Sequence, residues 1–379
     1  MKYRNVLFFT SLLLVFTFFS CKKEVLVADS TDLKAYSFSI NNCVLTPDNN
    51  FLLSGSSYVS KADANGNFLW TVGSNANYTL PLRNNEFASC TDNQQYITLS
   101  RLSTVGNILF TKTLFMNDSS ELSNPKIAEL SSGDLLCIGT SVSGVDSTLL
   151  IIKTDKNGNA LWNKKIKLST NFSVINKAIE VNANGNVIIT GNTGKVVYSN
   201  KIYYAMIDSS GALLWQKYKA FGIWENYPTD IHILNANECI ITGYYDISTT
   251  VDYNYQFYAY KINNVGDSIQ LFVNGGSKQD YCISSTLVSA NNNLILVGME
   301  GRGSSFTDLN LSTIKIVTIN TSSMTLITDN TYAQLLECAG LCAIYNSDAS
   351  LSVIGRKYAY SNPNIQQTFF LKIKPDGSF

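Results

Sequence analysis

Four carboxylates, Glu225, Asp230, Asp246 and Asp280, stand in or beside segments that read as connections between strands. Two such groups about 5 to 10 Å apart in a cleft would suit hydrolysis or elimination on a glycan. The sequence holds one histidine, His232, so a Ser/His/Asp triad or a His-rich metal site would have to use that single imidazole. It stands in Ile231-His232-Ile233-Leu234, where an inner strand and a structural role account for it. Asp155-Lys156-Asn157-Gly158 offers oxygen ligands at a spacing that suggests calcium, but a calcium loop of the EF-hand kind needs Gly at its sixth position and Glu at its twelfth. Here Gly158 comes fourth and Trp162 eighth, and turn chemistry explains the pattern. Phosphate-loop, nucleophile-elbow and dinucleotide fingerprints are absent. No catalytic residue, no metal ligand and no cofactor is therefore assigned.

Aromatic rings flanked by amides and hydroxyls are the other chemistry on offer. Trp224, Glu225, Asn226 and Tyr227 fall together, and Tyr244, Tyr245, Tyr253, Tyr255 and Tyr258 follow, with Tyr358, Tyr360 and Asn362 near the end. Such sets suit glycans or peptides, which ask for stacking plus neutral hydrogen bonds. Trp224, Tyr227, Tyr244, Tyr245 and Tyr255 are the expected ligand-binding residues; the alternative is that Tyr and Asn simply suit exposed β connections.

Charge excludes one class of partner. With 28 Lys+Arg against 28 Asp+Glu in 379 residues, the chain has no electrostatic footprint for nucleic acid. At 45% hydrophobic and 15% charged it can bury a sizeable core.

The N-terminus carries an address. Lys2 and Arg4 precede an apolar stretch from Val6 to Phe19, then Ser20 and Cys21. The stretch is short for a membrane span, which needs about 20 residues. A Cys after a small residue at the end of such a run resembles a bacterial lipoprotein signal, with an ordinary secretory signal or an uncleaved anchor as alternatives. The resemblance implies a signal peptide over 1–20, lipidation at Cys21, a polar leader over 21–32, and a protein held on the outer membrane, periplasmic or surface side, by its acyl chains. Of the eight cysteines, Cys137 and Cys239 sit in apolar alternations as small hydrophobes. Cys338 and Cys342 either pair or are both core residues.

The elements that must position these residues repeat. One signal is a turn, a β-branched run and a Gly: Asn184-Gly185-Asn186-Val187-Ile188-Ile189-Thr190-Gly191, with copies ending at Gly55, Gly139, Gly243, Gly298 and Gly355 and a weaker copy over 93–100. The second is Asp-x-x-Gly-x-x-x-Trp, as Asp63/Gly66/Trp70, Asp155/Gly158/Trp162 and Asp208/Gly211/Trp215. Its Gly positions run 66, 106, 158, 211, 266, 323 (a Ser) and 377, seven units. Each unit reads as four strands, the first signal marking the turn between strands one and two, the second the turn between three and four.

Such units are those of β-propeller blades. The last unit ends too soon for its own fourth strand, so Leu33 to Ile40 is expected to complete it and close the ring. The expected fold is an all-β, seven-bladed propeller of four-stranded antiparallel blades over 33–379. The sequence resembles the seven-bladed repeats with an Asp-x-x-Gly-Asn-x-x-Trp hairpin found in lipid-anchored bacterial proteins, similar in fold to quinoprotein propellers. The three repeat tryptophans are expected to pack between blades.

The short turns belong to one face and the variable connections to the other, where function usually sits. From the second-strand Gly to the next turn Gly is 11 positions after Gly55, only 6 after Ser100, and 19 to 25 elsewhere. The expectation is a monomeric, non-catalytic, lipid-anchored propeller binding a glycan or envelope protein through the long-connection face. A glycan hydrolase or lyase using the four carboxylates is the alternative, and an assembly subunit with an apolar patch on its outer wall a third possibility.

Overall fold

The computed structural model describes residues 33–36, 40–93, 96–115, 122–143, 146–168, 174–193, 200–222, 224–248, 254–276, 279–301, 312–332, 338–359 and 362–374. Cys21, the signal and leader, Tyr253, Tyr360 and the turn at Gly377 lie outside them. The described residues form seven four-stranded antiparallel sheets.

After β1 (Leu33–Tyr36), blade 1 is β2 (Asn42–Leu45), β3 (Phe51–Ser54), β4 (Tyr58–Ala62) and β5 (Phe68–Gly73). Blade 2 is β6 (Tyr78–Pro81), β7 (Phe87–Asp92), β8 (Tyr96–Leu102) and β9 (Ile108–Phe115); blade 3 is β10 (Leu122–Glu129), β11 (Leu135–Ser143), β12 (Asp146–Thr154) and β13 (Ala160–Lys167). Blade 4 is β14 (Val174–Val181), β15 (Val187–Thr193), β16 (Lys201–Ile207) and β17 (Leu213–Lys219); blade 5 is β18 (Asn226–Asn235), β19 (Glu238–Asp246), β20 (Tyr255–Asn263) and β21 (Ser268–Asn274). Blade 6 is β22 (Asp280–Val288), β23 (Asn293–Glu300), β24 (Thr313–Asn320) and β25 (Thr325–Tyr332). Blade 7 is β26 (Cys338–Tyr345), β27 (Leu351–Ala359) and β28 (Asn362–Ile373), with β1 as its fourth strand. Leu33 pairs with Leu371 and Tyr36 with Thr368, so the ring closes as the sequence predicts.

Both repeat signals have physical causes. In blades 3 to 7 the glycine of the second strand lies within that strand, opposite a bulge in the first, as at Pro228/Asp230 facing Gly243. There the first strand's carbonyl leans inward, and a Cβ on Gly243 would meet the Tyr227 oxygen at 2.0 Å. The turn glycines adopt positive φ and receive an aromatic ring from the blade before: Trp70 under Gly106, Phe110 under Gly158, Trp162 under Gly211 and Trp215 under Gly266. The tryptophans thus pack between blades. At the closure the ring beneath Gly66 is Phe370, taken from the third strand of blade 7. The core lies in these interfaces, as where Leu149 and Ile151 of blade 3 meet Ile189 and Ala205 of blade 4.

Blade 2 corrects the reading of the weaker repeat copy. Residues 96–100 belong to its third strand, β8, and its second strand is β7, reached by the turn at Leu82–Glu86. That turn uses Asn85 at φ 64 in place of a glycine, so it escapes a search keyed on Gly. The long intervals counted between repeat glycines likewise contain the third strands. The connections themselves are longest at 194–200, 247–254 and 301–312, in blades 4, 5 and 6.

Candidate functional site: the central channel and its aromatic mouth

The innermost strands of all seven blades line a central channel of about 580 Å³. Their inward edges have no further strand to pair with, and side chains from neighbouring inner strands satisfy some of them. Asn42 Oδ1 accepts from the Thr79 N–H at 3.2 Å, Glu180 Oε2 from the Ile233 N–H at 2.5 Å, and Asp230 Oδ2 from the Ser285 N–H at 2.8 Å and the Ser284 hydroxyl at 3.1 Å. Each contact ties one blade to the next.

These groups make the channel ionisable. Burial pushes the Glu180 carboxyl up to about 7, with the nearby Asp230 adding to the rise. Burial likewise raises Asp230, and it lowers His232 against the opposing pull of the Asp230 charge. Lys126, 4.4 Å above the Tyr78 ring, and Lys177 are both lowered by burial.

His232 Nε2 lies 2.7 Å from Ser285 Oγ, the separation expected of a base and a nucleophile. The rest of a triad is missing: Asp230 binds Ser284 and Ser285, not the imidazole, and Ser285 Oγ is shared with Thr242 Oγ1 at 2.7 Å. The arrangement fixes β18, β19 and β22 together. Among the described residues, no three His, Cys, Asp or Glu side chains gather in a way that could hold a metal ion.

Toward the face of the longer connections, β18 and β22 carry Tyr227 and Tyr281, about 10 Å along the strands from Asp230 and Ser284. Tyr227 pairs across the ladder with Tyr244, their rings stacked at 5.0 Å and 30°. Tyr244 meets Tyr255 and Tyr281 edge-on at 5.5 and 5.2 Å, and Tyr255 lies 4.8 Å from Tyr281. The Tyr255 hydroxyl donates to Glu225 and the Tyr281 hydroxyl to Gln279 Oε1. Burial holds the Tyr244, Tyr255 and Tyr281 phenols protonated, above the ordinary value.

Of the five expected binding residues, the structure therefore gathers Tyr227, Tyr244 and Tyr255. Tyr245 points to the opposite face of the blade and packs on Phe221 and Tyr258 in the core shared with blade 4. Trp224 is half-buried in the connection leading to β18. Tyr244, Tyr245, Tyr255 and Tyr258 lie on strands rather than in loops, and Tyr255 is only 1% exposed. Alternating strand geometry divides them between the two faces of the blade.

Of the four carboxylates, Glu225 and Asp246 are neighbours at the mouth, where the Asp246 N–H donates to the Glu225 carbonyl at 2.8 Å and both charges bear on Tyr255 and Tyr281, while the other two lie apart. Asp230 faces the channel, Asp280 is buried against Lys315 at 2.8 Å, and Glu225 holds Tyr255. Asp246 caps the 247–254 connection by accepting from the N–H groups of Ser248 and Asn254. Glu180, Lys126 and Lys177 escaped notice in the sequence. Their signal was a pair of charged residues bracketing two apolar ones on first strands, as in Lys177-Ala178-Ile179-Glu180.

No protein-family model and no curated protein sequence matches the chain. Among solved structures, the WD40 domain of Neurospora crassa Pan2 is similar, with a TM-score of 0.54 at 8% identity over 91% of this chain and 97% of that domain. The chain is a seven-bladed β-propeller. The propeller also matches a protein of unknown function from Bacteroides caccae, with a TM-score of 0.41 at 11% identity over 76% of this chain and 90% of that one. A Synechocystis apocarotenoid oxygenase scores 0.45 at 12% identity over 80% and 72%. At these identities the likeness is one of fold, and functions differ freely on propellers.

Proposed function

We propose that this propeller is a lipid-anchored, non-catalytic binding protein of the bacterial cell envelope, which recognises a glycan or a protein partner through the face of its longer connections. The observation that carries the reading is the grouping of Tyr227, Tyr244, Tyr255 and Tyr281 with Glu225 at the channel mouth. Tyr255 and Tyr281 are buried and hold the platform rigid, while Tyr244, Tyr227 and Trp224 remain partly accessible to a ligand.

The strand directions support the tethering geometry. β1 enters blade 7 at the turn face, where Leu33 pairs with Leu371 near the end of β28. An anchor at Cys21 would keep that face toward the membrane and present the opposite face outward. Exposed apolar side chains stand on the outer strands of six blades, singly on β5 (Leu69) and β13 (Leu161) but in a row of alternate residues on β21 (Ile269, Leu271 and Val273).

The test is thermal unfolding of a soluble form starting near Val27, scanned against polysaccharides, oligosaccharides, peptidoglycan fragments and divalent ions. A ligand of the folded state raises the midpoint by mass action. The expected result is a saturable rise that Trp224→Ala abolishes; a flat panel removes glycan recognition and leaves a protein partner, to be sought by pull-down from the envelope. For the anchor, Cys21→Ser is expected to release the protein from the membrane fraction and to block incorporation of a labelled fatty acid.

A further inference from the structure

The ring is closed by noncovalent contacts where blade 7 meets blade 1. Around this seam Phe370 sits edge-on to Phe51 and Phe68 at 6.2 and 6.1 Å. The Ser352 hydroxyl reaches the Ala64 carbonyl at 2.7 Å, and Arg356 donates to the Ile40 carbonyl. Cys43 and Cys342 lie on the two innermost strands flanking it, β2 and β26. Both pack in one cluster with Ile40, Phe51 and Phe370, both border the channel, and Cys342 is near enough to add to the rise that burial causes in the Cys43 thiol. Cys342 follows a bulge between Gly340 and Cys342, and such bulges re-aim the side chain beside them.

We infer that Cys43 and Cys342 form a redox-active pair whose disulfide closes the propeller covalently at its seam. The oxidant is a disulfide donor, either a small molecule such as oxidised glutathione or a thiol–disulfide oxidoreductase in its disulfide form. One protein thiolate attacks the donor's S–S bond, forming a mixed disulfide and expelling the first donor thiolate. The second protein thiolate then attacks the protein sulfur of that mixed disulfide and expels the other. The two protein thiols lose two electrons and two protons, and the donor gains both as two thiols. Burial raises the Cys43 thiol well above its ordinary value, so exchange in the closed ring is slow and is fastest when the seam opens or during folding.

The other cysteines do not compete equally. Cys338 shares β26 with Cys342 but packs in a different core, and four extended residues separate the two by about 13 Å, beyond the roughly 7 Å a disulfide spans. Cys90 and Cys137 share the interface between blades 2 and 3 but do not border the channel. A bond from 43 to 342 would enclose nearly the whole propeller, the arrangement that restrains the unfolded chain most.

The full chain, reduced and then incubated with oxidised glutathione, is digested without reductant and mapped by mass spectrometry, alongside thermal unfolding. A peptide linking Cys43 to Cys342 is expected, with an unfolding midpoint several degrees higher that falls back on adding dithiothreitol. Cys43→Ala and Cys342→Ala, checked for native circular dichroism, are each expected to lose both the linkage and the redox-dependent shift. A Cys90–Cys137 linkage in its place, no linkage at all, or a redox shift that survives in both variants overturns the assignment.

Discussion

The Trp215 indole lies beneath Gly266 of the following blade and donates from Nε1 to the Asn264 carbonyl at 2.9 Å. Trp70 repeats the relationship with Gly106 and the Thr104 carbonyl. Each hairpin turn is therefore also half of an interface between blades. Gly266→Ala must carry a Cβ at φ 78 and place it 2.9 Å from the Trp215 ring. Gly133, at φ 81 with nothing within 4 Å, meets the first demand alone. Gly133→Ala is expected to cost about 1–2 kcal/mol and Gly266→Ala about 1–3 kcal/mol more, measured by urea unfolding. Equal losses would mean that the ring contact contributes nothing.

Lys315 and Asp280 form an ion pair at 2.8 Å with side chains 2% and 0% exposed, and Lys315 also approaches Asp329 at 3.8 Å. A buried charge that loses its partner is strongly destabilising. Lys315→Met is expected to lower stability by about 3–5 kcal/mol, and adding Asp280→Leu to recover a large part of it. A double variant no better than the single would show that the Asp280 carboxylate is not what the lysine serves.

The Tyr255 hydroxyl donates to Glu225 while its ring is clasped by Tyr244 and Tyr281. Tyr255→Phe keeps the ring and removes the donor. The expected loss is about 1–3 kcal/mol in chemical denaturation, with near-ultraviolet circular dichroism retained. A collapse of that aromatic signal would show that the hydroxyl, and not ring packing, organises the mouth.

The blade count and the closure by β1 were legible because turn chemistry and β-branched runs are local properties, repeated seven times. Blade 2 was misread because Asn85 does the work of a glycine, and an Asn in the left-handed region leaves no mark in a Gly-keyed pattern. The site was legible only in part. Tyr227 and Tyr244 meet because a ladder register pairs them, whereas Tyr245, one residue on, must face the other way. Glu180 and Asp230 come near one another only when adjacent blades bring their inner strands around one axis, a relationship across fifty residues that no local pattern records. The same holds for Cys43 and Cys342, brought together by closure of the whole ring.

Glu180 makes stability depend on pH. Its ordinary value of 4.5 rises to about 7 in the folded protein, so the folded state favours the protonated form. The stability this group contributes is complete below about pH 4.5 and is lost as pH climbs through about 7, a swing on the order of 3 kcal/mol. The raised Asp230 acts in the same sense, whereas His232, Lys126 and Lys177, all lowered, act oppositely as pH falls. The net profile therefore mixes signs, and the difference between two proteins isolates one group. Glu180→Gln keeps an acceptor for the Ile233 N–H without a charge to desolvate. Measured by urea unfolding at pH 5, 6, 7 and 8, the variant is expected to gain stability relative to the parent as pH rises, most steeply between 5 and 7 and levelling off by 8. Parallel profiles would mean that Glu180 ionises in the channel as freely as it does in water.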